Sequence, residues 1–246
     1  MKPLFNKNFP LPRLFILILL LTAAVQEVWA QDRKAVKLEE LELNVPEDTQ
    51  ITIFADDVSK ARHMAFDDQG ILFLSQTRKD KVVALPDFNH DGKADRAAAI
   101  LDDRDAPHGL AFAQLDSGYY LYVAERKQVI RLKRVAKPFQ YGPPEIIVPN
   151  IPGGGHSTRT IKIKEGKLYL SVGSSCNVCI EENKMRAAIS RFDLDGKNPE
   201  IFAAGLRNTV GIEFSPYSGE LWGVNNGRDW MGDEFPKEEL NIIRQG

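Results

Sequence analysis

Cysteine is nearly missing from this chain. Only Cys176 and Cys179 occur in 246 residues, so no second pair exists to complete a cysteine zinc site. The pair reads CNVC, and Ile180 stands where a c-type haem site needs histidine. The motif follows the strand-like stretch LYLSVG rather than opening a helix, which argues against a thioredoxin-like redox role. Charge of one sign is lacking too. The 32 Lys and Arg nearly balance the 34 Asp and Glu, for a net charge of -2, so nothing draws the chain generally to nucleic acid or to an anionic membrane. The one basic cluster, Arg126 to Lys137, interleaves with Val129, Ile130, Leu132 and Val135, as on a half-exposed strand. Long helical heptads and low-complexity linkers do not occur.

Long apolar runs are also scarce. The run Leu14 to Val25 falls short of the roughly 20 residues that span a bilayer. Lys2, Lys7 and Arg13 precede it, and Val28-Trp29-Ala30 supplies small residues for cleavage after Ala30. Residues 1–30 therefore read as a secretory signal peptide, which makes the mature protein exported, periplasmic or secreted, with no stable membrane span. In that compartment a short-loop Cys176–Cys179 disulfide is the expected state. Residues 31–45 form an N-terminal segment, and residues 46–246 read as one domain with a sizeable core.

What the chain does have is a repeat. Met64-AFDDQGILFLSQ, Leu110-AFAQLDSGYYLYVAE, Ile161-KIKEGKLYLSVG and Ile212-EFSPYSGELWGVNN each hold a strand, a glycine-containing turn and a second strand. They start 46, 51 and 51 residues apart. That period fits the four-stranded blade of an all-β propeller, and a sandwich does not repeat in this way. About four blades fit in the chain, and closure of a ring commonly needs more, so the sequence reads as cut short before the closing strand.

Polar residues precede each repeat: Arg62-His63, Pro107-His108-Gly109, Gly155-His156-Ser157 and Arg207-Asn208. Equivalent loops of a propeller gather at one end of its axis, so four distant segments can share a pocket. A neutral His156 there would accept a hydroxyl proton, and Arg207 would hold an anion or a developing oxyanion. Elsewhere, DFNHDGKAD places Asp87, Asn89, Asp91 and Asp95 at positions 1, 3, 5 and 9 of a loop with Gly92 at position 6. With the Lys93 carbonyl, these are hard oxygen ligands at a calcium-loop spacing, although Ala98 stands where a full EF-hand has glutamate. A polar turn without metal is the other reading.

GGGHSTRT, LYLSVGSSCNVC, AAGLRNTVGIEF and NNGRDWMGDEFPKEELNII, in that order, resemble the soluble PQQ-dependent sugar dehydrogenases of the glucose/sorbosone dehydrogenase family, from about Pro46 onward. The resemblance implies a six-bladed propeller that binds pyrroloquinoline quinone (PQQ) and calcium on its axis. It implies oxidation of a sugar or sugar-derived aldehyde or alcohol, with electrons passed to an external cytochrome or quinone. It casts His156 as general base, and Arg207 and Asn208 as quinone contacts. His108 is implied to face substrate, and Gly227 and Arg228 to offer backbone carbonyls to a catalytic calcium. Arg159 is either a further quinone cation or half of a neighbouring-strand salt bridge. The family's later basic residues fall beyond Gly246, so this segment alone is expected to be inactive. A non-catalytic binding propeller and a calcium-dependent lactonase or esterase are the competing readings.

Overall fold

The computed structural model describes residues 33–38 and 41–246, and the signal peptide read at residues 1–30 lies outside them. The chain divides into two units, one ending at Ile53 and the other running from Phe54 to Gly246. The first carries an antiparallel hairpin of β1 (Arg33–Leu38) and β2 (Leu41–Pro46). The second begins at Phe54. Phe54 accepts a hydrogen bond from Ala94 N–H at 2.8 Å, and its ring packs beside Leu74, Val83 and Leu85.

That second unit is four antiparallel sheets in succession, the blades of a β-propeller. The first blade is β3 (His63–Phe66), β4 (Leu72–Gln76), β5 (Lys81–Leu85) and β6 (Ala98–Leu101). The second is β7 (Leu110–Leu115), β8 (Gly118–Ala124) and β9 (Val129–Ala136), with both β10 (Gln140–Tyr141) and β11 (Glu145–Val148) on the outer edge of β9. The third is β12 (Arg159–Lys164), β13 (Lys167–Val172), β14 (Ala188–Asp193) and β15 (Glu200–Ala204). The fourth has three described strands, β16 (Thr209–Phe214), β17 (Leu221–Asn225) and β18 (Glu239–Ile243). Each repeat seen in the sequence is the pair of strands that opens a blade.

The core lies between blades, and strand alternation puts it there. On β8, Leu121 and Val123 pack with Phe73, Val82 and Ala84 of the first blade. Tyr120, Tyr122 and Ala124 of the same strand pack with Ile161, Leu168 and Leu170 of the third. On β13 the roles repeat, with Tyr169 turned toward Ile212, Leu221 and Ile243 of the fourth blade. A strand buried on both faces has no polar side to show, which explains near-continuous runs such as LYVA and LYLSV. Buried serines then join neighbouring blades. Ser75 Oγ donates to His108 O at 2.8 Å, and Ser171 Oγ donates to Thr209 O at 2.6 Å. The basic cluster lies largely along β9, where two of its arginines are paired, Arg131 to Glu145 at 2.7 Å and Arg134 to Asp68 at 2.6 Å.

Candidate active site

The loops that enter β12 and β16 meet the loops that leave β13 and β17, and Ser174 is their junction. Its backbone N–H donates to Arg207 O at 2.7 Å, and its carbonyl accepts from His156 N–H at 3.1 Å. Close approach is built into two glycines. A side chain on Gly155 (φ 57) would place Cβ 2.4 Å from Ser175 O, and one on Gly173 would lie 2.6 Å from Asn208 Oδ1 and 2.7 Å from His156 Cβ. Only a residue without Cβ lets His156 and Asn208 converge here.

The imidazole of His156 has a defined tautomer. Nδ1 lies 3.0 Å from Ser174 O and 3.1 Å from Ser174 Oγ. A carbonyl oxygen can only accept, and the Ser174 hydroxyl donates its proton to Cys176 O at 2.7 Å. Nδ1 therefore carries the proton, and the Nε2 lone pair is bare, with no protein partner among the described residues. This is the electronic state of a general base.

Arg207 is held more tightly than a freely offered cation. Its Nε donates to Asn177 O at 2.9 Å and Nη1 to Asn226 O at 3.2 Å, while Nη2 donates to Asn177 Oδ1 and Asp229 Oδ2, each at 2.8 Å. A guanidinium has five donors, so one N–H and the planar face are left for a ligand. Asn208 uses its backbone in place, with its N–H donating to Asn225 Oδ1 at 3.0 Å, and its side-chain amide has no protein partner among the described residues. The Cys176–Cys179 disulfide closes the loop that supplies Asn177.

A cleft of about 550 Å³ opens beside Ser174, Asn177 and Arg207, lined also by Gly227, Arg228 and Lys237 among others. The Gly227 N–H donates to Glu238 Oε2 at 2.7 Å. The carbonyls of Gly227 and Arg228 accept no protein hydrogen bond among the described residues, so both oxygens are available. Three cations around one cleft fit a flat polycarboxylate, and free backbone carbonyls fit a hard divalent cation.

Two sequence expectations change. Arg159 is neither a quinone cation nor a salt-bridge partner, because its side chain is fully buried and bonds only to carbonyl oxygens. His108 is 2% exposed, its ring 5.6 Å from that of His63, and its Nδ1 donates to Arg159 O at 3.1 Å. Its ring is thus buried against His63 and the Arg159 carbonyl, with almost no surface to offer a ligand. The calcium-type loop lies between β5 and β6, at the other end of the blade. Asp87 Oδ2 accepts from Gly92 N–H at 3.0 Å and Asp91 Oδ1 from Lys93 N–H at 2.9 Å, so the loop caps its own amides. Among the described residues no three His, Cys, Asp or Glu side chains converge as a metal-holding group. Ser174, Asn177 and Arg186 escaped the sequence reading. Ser174 and Asn177 lie within the quoted SVGSSCNVC, but their partners are distant in sequence.

The His63–His108 pair has a pH consequence. Burial, then Lys162, lowers His63 to about 4, and burial, then the His63 charge, lowers His108 to about 4. Each is neutral when folded and takes up a proton near 6.5 when unfolded, so stability falls as pH drops from about 6.5 toward 4. A shift of this size is worth roughly 3 kcal/mol per group at the acid end. Melting curves across that window are expected to flatten for His108→Gln relative to the parent, and an unchanged slope would contradict the assignment.

Among the described residues no helix is long and apolar enough to cross a membrane. The TrAA12-like family model matches residues 43–244. A Trichoderma reesei carbohydrate-active enzyme of family AA12, solved in iodide and calcium forms, is 23% identical to this chain in its iodide form, with a TM-score of 0.69 over 79% of this chain and 54% of that one. The holo form of the pyranose dehydrogenase PQQ domain from Coprinopsis cinerea is 19% identical, with a TM-score of 0.67 over 78% of this chain and 52% of that one. An uncharacterised protein of Borreliella burgdorferi is 42% identical over 92 residues, 37% of this chain and 24% of that protein. The chain thus spans about half the length of these solved structures and about a quarter of the Borreliella protein. The solved structures share its propeller fold, and the match over most of its length places the chain in the TrAA12-like family.

Proposed function

We propose that this chain is the quinone-binding propeller of a PQQ-dependent dehydrogenase that oxidises a sugar or a sugar-derived aldehyde or alcohol. The observation that carries the reading is the bare Nε2 of His156, fixed by the Nδ1 bond to Ser174 O. Membership in the TrAA12-like family supports it, as do the carbohydrate-active and PQQ-holding proteins with the same fold. Arg207, Arg228 and Lys237 would hold the carboxylates of PQQ, and the amide of Asn208 would contact its polar edge. The Gly227 and Arg228 carbonyls would hold calcium, as two oxygens of a larger ligand set.

When bound, PQQ supplies the acceptor for the hydride that leaves the substrate carbon. His156 Nε2 takes the hydroxyl proton as the C–H bond breaks. The imidazolium so formed keeps its Nδ1–H bond to Ser174 O, which now stabilises a cation and so favours the transfer. Arg207 directs its remaining N–H toward negative charge developing in the cleft. Exported location and an external cytochrome or quinone as electron acceptor belong to the same proposal. The direct test adds PQQ and calcium to the protein at its full natural length and follows dye reduction across a panel of aldoses and sugar alcohols. Sugar-dependent dye reduction is expected, and its absence across the panel would sink the reading.

Calcium in the Asp87–Asp95 loop is a separate proposal, resting on the spacing of its oxygens. It would stabilise the first blade by binding the folded state alone. Asp91→Ala is expected to shrink the rise in melting temperature that added calcium gives the parent. An unchanged rise would remove the site.

A further inference from the structure

The base loop is held from beneath by two arginines. Arg159 Nη1 donates to His156 O at 2.8 Å and Thr158 O at 2.7 Å, Nη2 to Pro152 O at 2.8 Å, and Nε to Arg126 O at 3.2 Å. Arg186 is 6% exposed. Its Nη1 donates to Gly154 O at 2.9 Å and Gly173 O at 3.3 Å, and its Nη2 donates to Gly153 O. Every glycine and histidine carbonyl named here belongs either to the GGGHST loop or to Gly173, the contact point of His156 and Asn208. Neither guanidinium has a carboxylate partner among the described residues. Arg159 also closes a chain of bonds to the second blade, since its own carbonyl accepts from Gly109 N–H at 2.9 Å and from His108 Nδ1 at 3.1 Å.

This arrangement is expensive. Two buried cations share one region and meet only neutral dipoles, and burial, then Arg186 and Arg126, lowers Arg159 to about 10. An apolar residue would fill the same volume without a desolvated charge, but it would leave the loop carbonyls free to turn. Loop glycines with positive φ, at Gly154 (φ 81) and Gly155 (φ 57), have no intrinsic reason to hold one conformation. The rigid fork of guanidinium fixes several carbonyls at once, which an ammonium does not do.

The geometry points to Arg186, backed by Arg159, as the positioning residue that orients His156 so that its Nδ1 meets Ser174 O and its Nε2 is left without a protein partner among the described residues. The inference rests on the proposed role of His156, and its test has an arm that does not. In the full chain labelled with 15N-histidine, His156→Gln identifies the His156 imidazole signals among the four histidines. The parent is expected to show the Nδ1–H tautomer, and Arg186→Lys and Arg186→Ala to show mixed tautomers. With PQQ, calcium and sugar, turnover in both variants should fall about tenfold to a hundredfold, in kcat rather than KM. Millimolar guanidinium should restore part of the loss in Arg186→Ala, and equal sodium chloride should not. If Arg186→Ala does not fold, Arg186→Lys carries the tautomer and kcat readings. An unchanged tautomer, or a loss of turnover that leaves the tautomer intact, overturns the inference. If the parent oxidises no sugar, the proposed reaction fails, while the tautomer measurement still decides the positioning.

Discussion

His156→Ala is expected to lower turnover by about two to four orders of magnitude and to leave quinone binding in place. The size follows from losing a group whose Nε2 lone pair has no protein partner among the described residues and whose ring is held by a fixed second bond. Quinone binding persists because the cations around the cleft, Arg207, Arg228 and Lys237, are untouched. Two comparisons sharpen the result. Ser174→Ala keeps the carbonyl that accepts from Nδ1 and removes only the hydroxyl, so its loss should be much smaller. Gly173→Ala forces Cβ to within 2.7 Å of the His156 Cβ and should impair turnover with the imidazole still present. Near-parental turnover in His156→Ala, measured with PQQ and calcium saturating, would make the base assignment wrong.

The largest stability effect is expected at Glu125, at the end of β8. It is fully buried and accepts from Arg104 Nε at 2.6 Å, Arg104 Nη2 at 3.1 Å and Gln128 Nε2 at 2.6 Å. These bonds tie the segment before β7 to the second blade. Glu125→Ala leaves a guanidinium and an amide without their acceptor, a loss of about 3–5 kcal/mol for a buried pair broken on one side. Arg104 is partly exposed and can recover some water, so the lower end applies, about 10 °C in melting temperature for a domain of this size. Glu125→Gln retains one acceptor and should lose less. A melting temperature within a degree of the parent for Glu125→Ala would show that the pair contributes nothing to stability.

Much of the fold was legible because it is periodic. Each opening strand pair, such as Met64 to Gln76 or Ile161 to Gly173, carries its alternation and turn within about a dozen residues, so local reading finds it. The outer strands were less visible. β10 and β11 share the edge of β9 through irregular register, and nothing local in Gln140-Tyr141 announces a strand. The site shows the same division. His156, Arg207 and Asn208 stand at equivalent points of their blades and could be found by that equivalence. Which way a side chain turns could not. Arg159 and His108 each have a polar identity suited to a ligand, yet both face inward: His108 is claimed by the Arg159 carbonyl, 51 residues away, and Arg159 by the carbonyls of its own preceding loop together with Arg126 O. Arg186 carries no motif at all, and only the folded positions of Gly153, Gly154 and Gly173 reveal what it holds.

The central claim is that His156 Nε2 removes the substrate proton for a quinone bound in this cleft. The most direct measurement is a single-turnover experiment on the protein at its full natural length, loaded with PQQ and calcium, following quinone absorbance after one addition of sugar. The account predicts a bound-quinone spectrum in both parent and His156→Ala, rapid sugar-dependent reduction in the parent, and reduction slowed by about two to four orders of magnitude in the variant. Equal rates of reduction in the two proteins, or no bound-quinone spectrum in the parent, would contradict it.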